Sequence, residues 1–312
     1  MKRIDLATTE NVTTTYAGQD AGRYVRAAIL ANESLNNGSI SVLPNVKYQA
    51  NLTKIELDDI ISNDSCDFVD SGTITYTNPV LTLERFKVNL KVCKDNYRNT
   101  WEAEQMGFSA HDELSSNFAD FIIDSVAAKV GQKNETNIWQ GVNANSGEFD
   151  GFEVLMTNQA SQPTGYEIAG TTVDASNVVA EIQKVVDAAS AALYGSDGFA
   201  VRIGSNIARH YIAAQAALGY RDLYHAGVTE LSFQGVPLIV CPGMSDDKMI
   251  ATYNDNLWFG TNVLSDWNEV RLLDQALVDG SDNVHVVMKF AAGIQIASPE
   301  DVVTYGITNS GN

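Results

Sequence analysis

The stretch Leu114-Ser115-Ser116-Asn117-Phe118-Ala119-Asp120-Phe121-Ile122-Ile123-Asp124-Ser125-Val126-Ala127-Ala128-Lys129-Val130 decides how the rest of the chain is read. Leu114, Phe118, Phe121, Ile122, Val126 and Val130 recur at intervals of mainly three and four, the period of one helix face. Ser109 ahead of Asp112 and Glu113 supplies a cap and an acidic first turn, where the helix dipole favours negative charge. Unless Gly131 stops it, the pattern continues through Ile138 and Trp139 to Gly141. That predicts, within a region of helical period at 109–142, a helix of roughly 28 residues, about 40 Å at 1.5 Å per residue. Ordinary globular helices are less than half as long. Without a sustained heptad, such a helix is the spine of an elongated molecule rather than half of a coiled coil.

On the N-terminal side the period changes. Residues 1–25 are polar and Thr-rich and read as an extended or mobile arm, followed by a short helix over 21–32. Val46 to Leu52 alternates apolar and polar residues, as does Arg85 to Cys93, where Phe86, Val88 and Leu90 share one face and Lys87, Asn89 and Lys91 the other. Thr73 to Tyr76 is a further short strand. Together they predict one long antiparallel ribbon with a polar tip at Ser62-Asn63-Asp64-Ser65. A two-stranded ribbon holds little core of its own and needs another layer or another chain to lie on.

On the C-terminal side a glycine-rich turn, Gly147-Glu148-Phe149-Asp150-Gly151, leads into a compact α/β region. Asp174 or Ser176 caps a helix carrying Val178, Ile182, Val185, Val186, Ala189 and Leu193, with Gly195 as a left-handed stop. Phe199 to Ile203 is a strand, and Ser205 caps a helix with Ile207, Tyr211, Ala214 and Leu218 on one face. Leu231 to Cys241 reads as one strand. Two more fit Leu257–Val263 and Val284–Phe290, the second after the turn at Asp279-Gly280.

The chain has 312 residues, with 20 Lys and Arg against 39 Asp and Glu, a formal charge of −19. Nucleic-acid binders need basic surface to displace counterions from phosphate, so that class is disfavoured. Hydrophobic residues at 45% provide for a large packed core and exclude disorder over most of the chain. No stretch approaches 18 apolar residues, so no membrane span is expected, and Met1-Lys2-Arg3-Ile4-Asp5 leads into no signal-peptide core. Three cysteines, Cys66, Cys93 and Cys241, lack metal or redox spacing and read as reduced thiols.

Catalytic signatures are missing where their glycines would have to be. The sequence contains no GxxxxGK[ST], GxGxxG or GxSxG. His111, His210, His225 and His285 are scattered, and Asp246-Asp247 reads as a solvated turn rather than a cation loop. No cofactor, metal or enzymatic activity is expected. Trp101, Trp139, Trp258 and Trp267 stand among polar residues and are either core residues or large anchors at subunit interfaces.

Individual stretches, in order, resemble the major capsid proteins of tailed bacteriophages. They are Val42-Leu43-Pro44-Asn45-Val46-Lys47-Tyr48, Cys66-Asp67-Phe68, Trp101-Glu102-Ala103-Glu104-Gln105-Met106-Gly107, Ile138-Trp139-Gln140-Gly141, Gly147 through Phe152, and Asn256-Leu257-Trp258-Phe259-Gly260-Thr261. The resemblance spans nearly the whole chain and implies an α+β, HK97-like capsid fold. It implies an N-terminal arm with its short helix at 1–39 and an extended β-ribbon, the E-loop, at 40–100. A P-domain with the long spine helix would take 101–156 and 265–294, and an α/β A-domain 157–264 and 295–312.

Hexamers and pentamers of such a chain would close an icosahedral head around packaged double-stranded DNA, assembled in the host bacterial cytoplasm and found in the virion. Expected partners are further copies of the chain, portal, scaffolding and decoration or head-tail proteins, and non-specifically the packaged DNA. Only a short arm precedes the ribbon, so a scaffold is expected to be separate or already removed. Candidate inter-subunit contacts are Lys47, Lys87, Lys91, Trp101, Trp139, Trp258 and Trp267, the lysines facing acidic surface of a neighbour. Two alternatives accompany this reading: an encapsulin-type nanocompartment shell of similar fold, and an acidic soluble hydrolase using carboxylates such as Glu102, Glu104 or Asp150.

Overall fold

The computed structural model describes residues 15–16, 33–58, 60–61, 63–64, 66, 72–93, 116–159, 162–217, 231–262, 270–277 and 280–309. The N-terminal elements are β1 (Thr15–Tyr16), α1 (Glu33–Asn36), β2 (Ser41–Leu43), β3 (Gln49–Asn51), β4 (Lys54–Leu57), β5 (Ile74–Thr77), β6 (Val80–Thr82) and β7 (Glu84–Cys93). The spine helix α2 (Ser116–Gln140) and α3 (Phe152–Thr157) follow. Then come β8 (Glu167–Ile168), α4 (Val178–Ala188), α5 (Ala191–Tyr194), β9 (Phe199–Ile203) and α6 (Ser205–Ala217). The chain ends with β10 (Leu231–Phe233), β11 (Val236–Val240), β12 (Met249–Tyr253), β13 (Leu257–Thr261), β14 (Val270–Asp274), β15 (Asn283–Ile296) and β16 (Val303–Tyr305).

The spine helix runs straight through Gly131 for 25 residues. The residues of the helix buried in the structure include Ile123, Val126, Ala127, Asn134, Ile138 and Trp139. The expected cap at Ser109, Asp112 and Glu113, and the 21–32 helix, lie outside the described residues. α2 lies over a six-stranded sheet whose axis is β15, paired antiparallel with β7, β14 and β13. Phe149, Phe152 and Met156 fill the space between helix and sheet with Val284, Val286, Met288 and Phe290. In the arm, Thr15 and Tyr16 extend this sheet by pairing with Arg271 and Val270.

The second sheet has the order β10-β11-β9-β12-β16-β8. Alternation along β12 divides it between two cores: Ile250 joins the core under α2, while Met249 and Ala251 join one built with α4 and α6. β9, buried at all five positions, is covered on both faces.

Four sequence expectations change. Residues 85–93 do not close the ribbon; with Glu84 they join β15 across ten register positions, and the ribbon is closed instead by 74–82. Leu231 to Val240 is a hairpin, because Gln234 and Gly235 both have positive φ, 50° and 85°, the geometry of a two-residue turn. The helix expected through Leu193 breaks at Ala189, where ψ is 131°, and restarts after Ser190, whose hydroxyl accepts from Leu193 N–H. Gly195 is right-handed, with φ −84°, not the left-handed stop. In the first sheet, β13 hydrogen-bonds with β15 and β2.

Candidate inter-subunit surfaces

The ribbon is rooted by a pair of glycines. Gly260 in β13 faces Gly293 in β15 directly across the ladder. Their missing side chains leave a depression in the sheet into which β6 settles. A Cβ on Gly293 would come within 2.2 Å of the Thr82 carbonyl oxygen, and one on Gly260 within 2.3 Å of Leu81 Cδ2. Leu81 is fully buried there, in a small core with Val46, Leu83 and Ala291 against which Leu43, Ala50 and Trp258 pack. Val46 N–H donates to the Thr261 carbonyl and Gln295 Nε2 to the Val80 carbonyl, tying both ribbon strands to the sheet.

Beyond the root, β4 and β5 form a limb with two unlike faces. Ile55 stands opposite Tyr76 and Leu57 opposite Ile74, so these four side chains share one face. All four are 53–61% exposed. The other face carries Lys54, Glu56, Thr75 and Thr77. Lys54 holds it to the body: Nζ donates to Ser298 Oγ at 2.5 Å, pairs with Glu56, and lies 3.5 Å from Asp301 and 3.8 Å from Glu300. Partial burial works against this ammonium, but the carboxylates outweigh it and raise its pKa above the ordinary lysine value. The polar face is thus latched to the same chain, and among the described residues the apolar face is left open.

The residues selected from sequence fall into different places. Lys47, Lys87 and Lys91 are exposed and take no ion pair among the described residues. Trp101 and Trp267, with Glu102 and Glu104, lie outside the described residues. Trp258 is half-buried at the ribbon root, its Nε1 donating to the Asp255 carbonyl. Trp139 is fully buried, packed on Phe152 with Nε1 donating to Ser34 Oγ at 2.9 Å, so it is a core residue and offers no surface to a neighbour. Asp150 accepts from Asn143 N–H in the turn after the spine helix.

Sequence reasoning missed the apolar limb, although Ile55, Leu57, Ile74 and Tyr76 alternate visibly. It also missed the node that fixes the base of the arm. Glu135 accepts from Ser34 N–H, Ser34 Oγ and Gly243 N–H. Beside it, fully buried Arg202 donates to the carbonyls of Ser39, Thr252 and Ala200 and to Asn254 Oδ1. Burial brings this guanidinium down to about 10, so it stays charged at neutral pH. Burial also pushes Cys241 up to about 12, which leaves a thiol without nucleophilic character.

No family model matches the sequence, and no curated protein is similar to it. Solved structures are similar in fold. The capsid of a native GTA particle is 12% identical with a TM-score of 0.62, the alignment covering 90% of each chain. A structure from Mycobacterium phage Cain is 14% identical at 0.56, covering 88% of this chain and 89% of that one. The satellite phage P4 procapsid including size determination protein is 10% identical at 0.52, covering 92% and 99%. The chain has the α+β fold of these phage and GTA capsids, the HK97-like fold.

Proposed function

We propose that this chain is a major capsid protein that assembles as hexamers and pentamers into the icosahedral head of a tailed phage around packaged double-stranded DNA. Its role is structural rather than catalytic, its main partner is further copies of itself, and its place is the virion. The observation that carries this reading is a capsid fold bearing a ribbon limb whose apolar face is left uncovered among the described residues. An isolated two-stranded limb with four exposed large side chains is marginal in water. A subunit that loses several thousand Å2 to its neighbours would cover it.

In this reading 40–84 serves as the E-loop, α2 and the first sheet as the P-domain, and the second sheet with α4 and α6 as the A-domain. Portal, scaffolding and decoration or head-tail proteins would be the remaining partners. The test is electron microscopy and sedimentation of the protein expressed alone and with its neighbouring genes. Uniform shells, or hexamers and pentamers, are expected from the wild type. Leu57→Asp with Tyr76→Asp should leave the fold's melting temperature nearly unchanged, since both positions are exposed, and abolish assembly. A compact monomer under all salt and pH conditions would sink the reading.

A further inference from the structure

Ser34 and Ser39 are fully buried, yet the turn between them carries Asn37 and Gly38 on the surface, with Gly38 at φ 65°. Ser39 Oγ donates to the Ser34 carbonyl at 2.6 Å and closes the turn. This short segment, where the arm meets the body, lies between two buried charges of opposite sign. On one side Ser34 N–H and Oγ donate to Glu135 of the spine helix, and Ser34 Oγ accepts from Trp139 Nε1. On the other, the Ser39 carbonyl accepts from Nε and Nη2 of Arg202, at 3.1 and 2.7 Å. Arg202 belongs to β9, whose Val201 and Ile203 face the core built with α4 and α6. Its partner across the ladder, Ile250, faces the core under α2, and Arg202 points the same way. Residues 34–39 therefore strap the spine helix to the second sheet.

The strap has no good intermediate position. Arg202 makes five hydrogen bonds, two of them to Ser39 and none to a carboxylate. Glu135 accepts three, two of them from Ser34. A strap drawn part of the way out would strip both buried charges at once with no water to replace it, and leaving a buried charge short of partners is costly. Fully seated, every group is satisfied; fully out, water takes over the lost bonds. The seated strap also covers Cys241, a fully buried thiol within reach of the Ser34 and Ser39 hydroxyls. A separate tie holds the loop that follows this cysteine: Glu153 of α3 accepts from Ser245 N–H and Oγ and from Lys248 Nζ. That tie stays in place when the strap leaves.

We infer that residues 34–39 are a two-position strap that locks the spine helix to the second sheet when seated and opens as a unit, freeing the two cores from each other while both stay folded. The arm joins the body through this strap, so a pull on the arm by another copy is what opens it. The use of such a lock rests on the shell-forming reading. A chain that fills both hexamers and pentamers has to take more than one relative placement of its two halves, and the strap provides a fixed state and a released one. The opening itself belongs to the single chain and does not depend on assembly.

Labelling of Cys241 by a thiol reagent follows the strap, in the full chain carrying Cys66→Ser and Cys93→Ser, since Cys66 is exposed and Cys93 half-buried. Opening of so short a segment exposes little surface, so the labelling rate should stay flat through rising, sub-denaturing urea. A rate that climbs with urea along the slope of global unfolding overturns the inference. Ser34→Ala removes the hydroxyl shared by Glu135 and Trp139 and should raise the flat rate on the order of tenfold or more; an unchanged rate counts against the strap equally. Glu153→Gln should leave the rate as it is, and a rise there would mean that the 241–248 loop opens instead, which also overturns the inference. Assembled shells should label in two phases, and a single phase would overturn the strap's use in fitting two positions. A wild type that stays monomeric sinks the shell reading, while labelling of that monomer still decides for or against the strap.

Discussion

Glycine opposite glycine at 260 and 293 does more for the ribbon than any side chain on it. The sheet can accept β6 against its surface only where two Cβ atoms are missing side by side. Gly293→Ala would set a methyl group 2.2 Å from the Thr82 carbonyl, and backbone yields less easily than the tip of a side chain. The expected result is a cost of about 1–3 kcal/mol, typical of overpacking. Limited proteolysis should then cut within 49–82 well before the rest of the chain, whereas a uniform loss of resistance would contradict a local role. Glu148 is the counterpart at the end of the spine helix. The Lys133 ammonium, the Asn145 amide and Val142 N–H hold its carboxyl at about 2, against roughly 4.3 in an unfolded chain. A depressed carboxylate stabilises the fold fully above its unfolded value and loses that contribution as pH falls toward its folded value. Melting temperatures of wild type and Glu148→Gln should therefore differ at pH 6 and converge between about pH 4.5 and pH 2. A difference independent of pH would show that the carboxylate's charge is not what matters.

Among elements, those whose burial obeys a single period were legible and those defined by partners were not. The spine helix could be read because Val126, Val130 and Ile138 keep one spacing over many turns, and Gly131 costs only about 1 kcal/mol against that much packing. The ribbon was legible as a ribbon, but not its closure: Arg85 to Cys93 alternates as cleanly as Ile74 to Thr77, and alternation says that a strand has two faces without saying which strand lies beside it. Val270–Asp274, Met249–Tyr253 and Val303–Tyr305 were missed for a related reason. β12 and β16 are buried on both sides or nearly so, and a short, fully apolar run carries no period at all. The Gln234-Gly235 turn lacks the Asn-Gly or Asp-Gly pair that marks most such hairpins, so Leu231 to Val240 looked continuous. Trp139 drew attention by size and is core; Ile55 and Tyr76, whose exposure is the real anomaly, look in sequence like any half-buried strand.

For the whole molecule, the net charge and the local charge pattern act over different distances, and that separates them in experiment. Copies bearing −19 each repel through solvent over the Debye length, about 30 Å at 0.01 M salt and about 8 Å at 0.15 M. Pairing of the exposed Lys87 and Lys91 with acidic surface of a neighbouring copy would act at contact, where screening takes hold only as the Debye length approaches about 3 Å near 1 M. Assembly of the wild type at fixed concentration should therefore rise from 0.01 M to about 0.15 M sodium chloride as repulsion is screened, and fall again toward 1 M as the pairing weakens. A Lys87→Glu, Lys91→Glu variant would lack the attractive part, so its weaker assembly should rise with salt and show no later fall. Light scattering across a salt series measures both curves. A wild-type curve that only rises would mean that burial of the apolar limb alone drives association, and that Lys87 and Lys91 take no part in it.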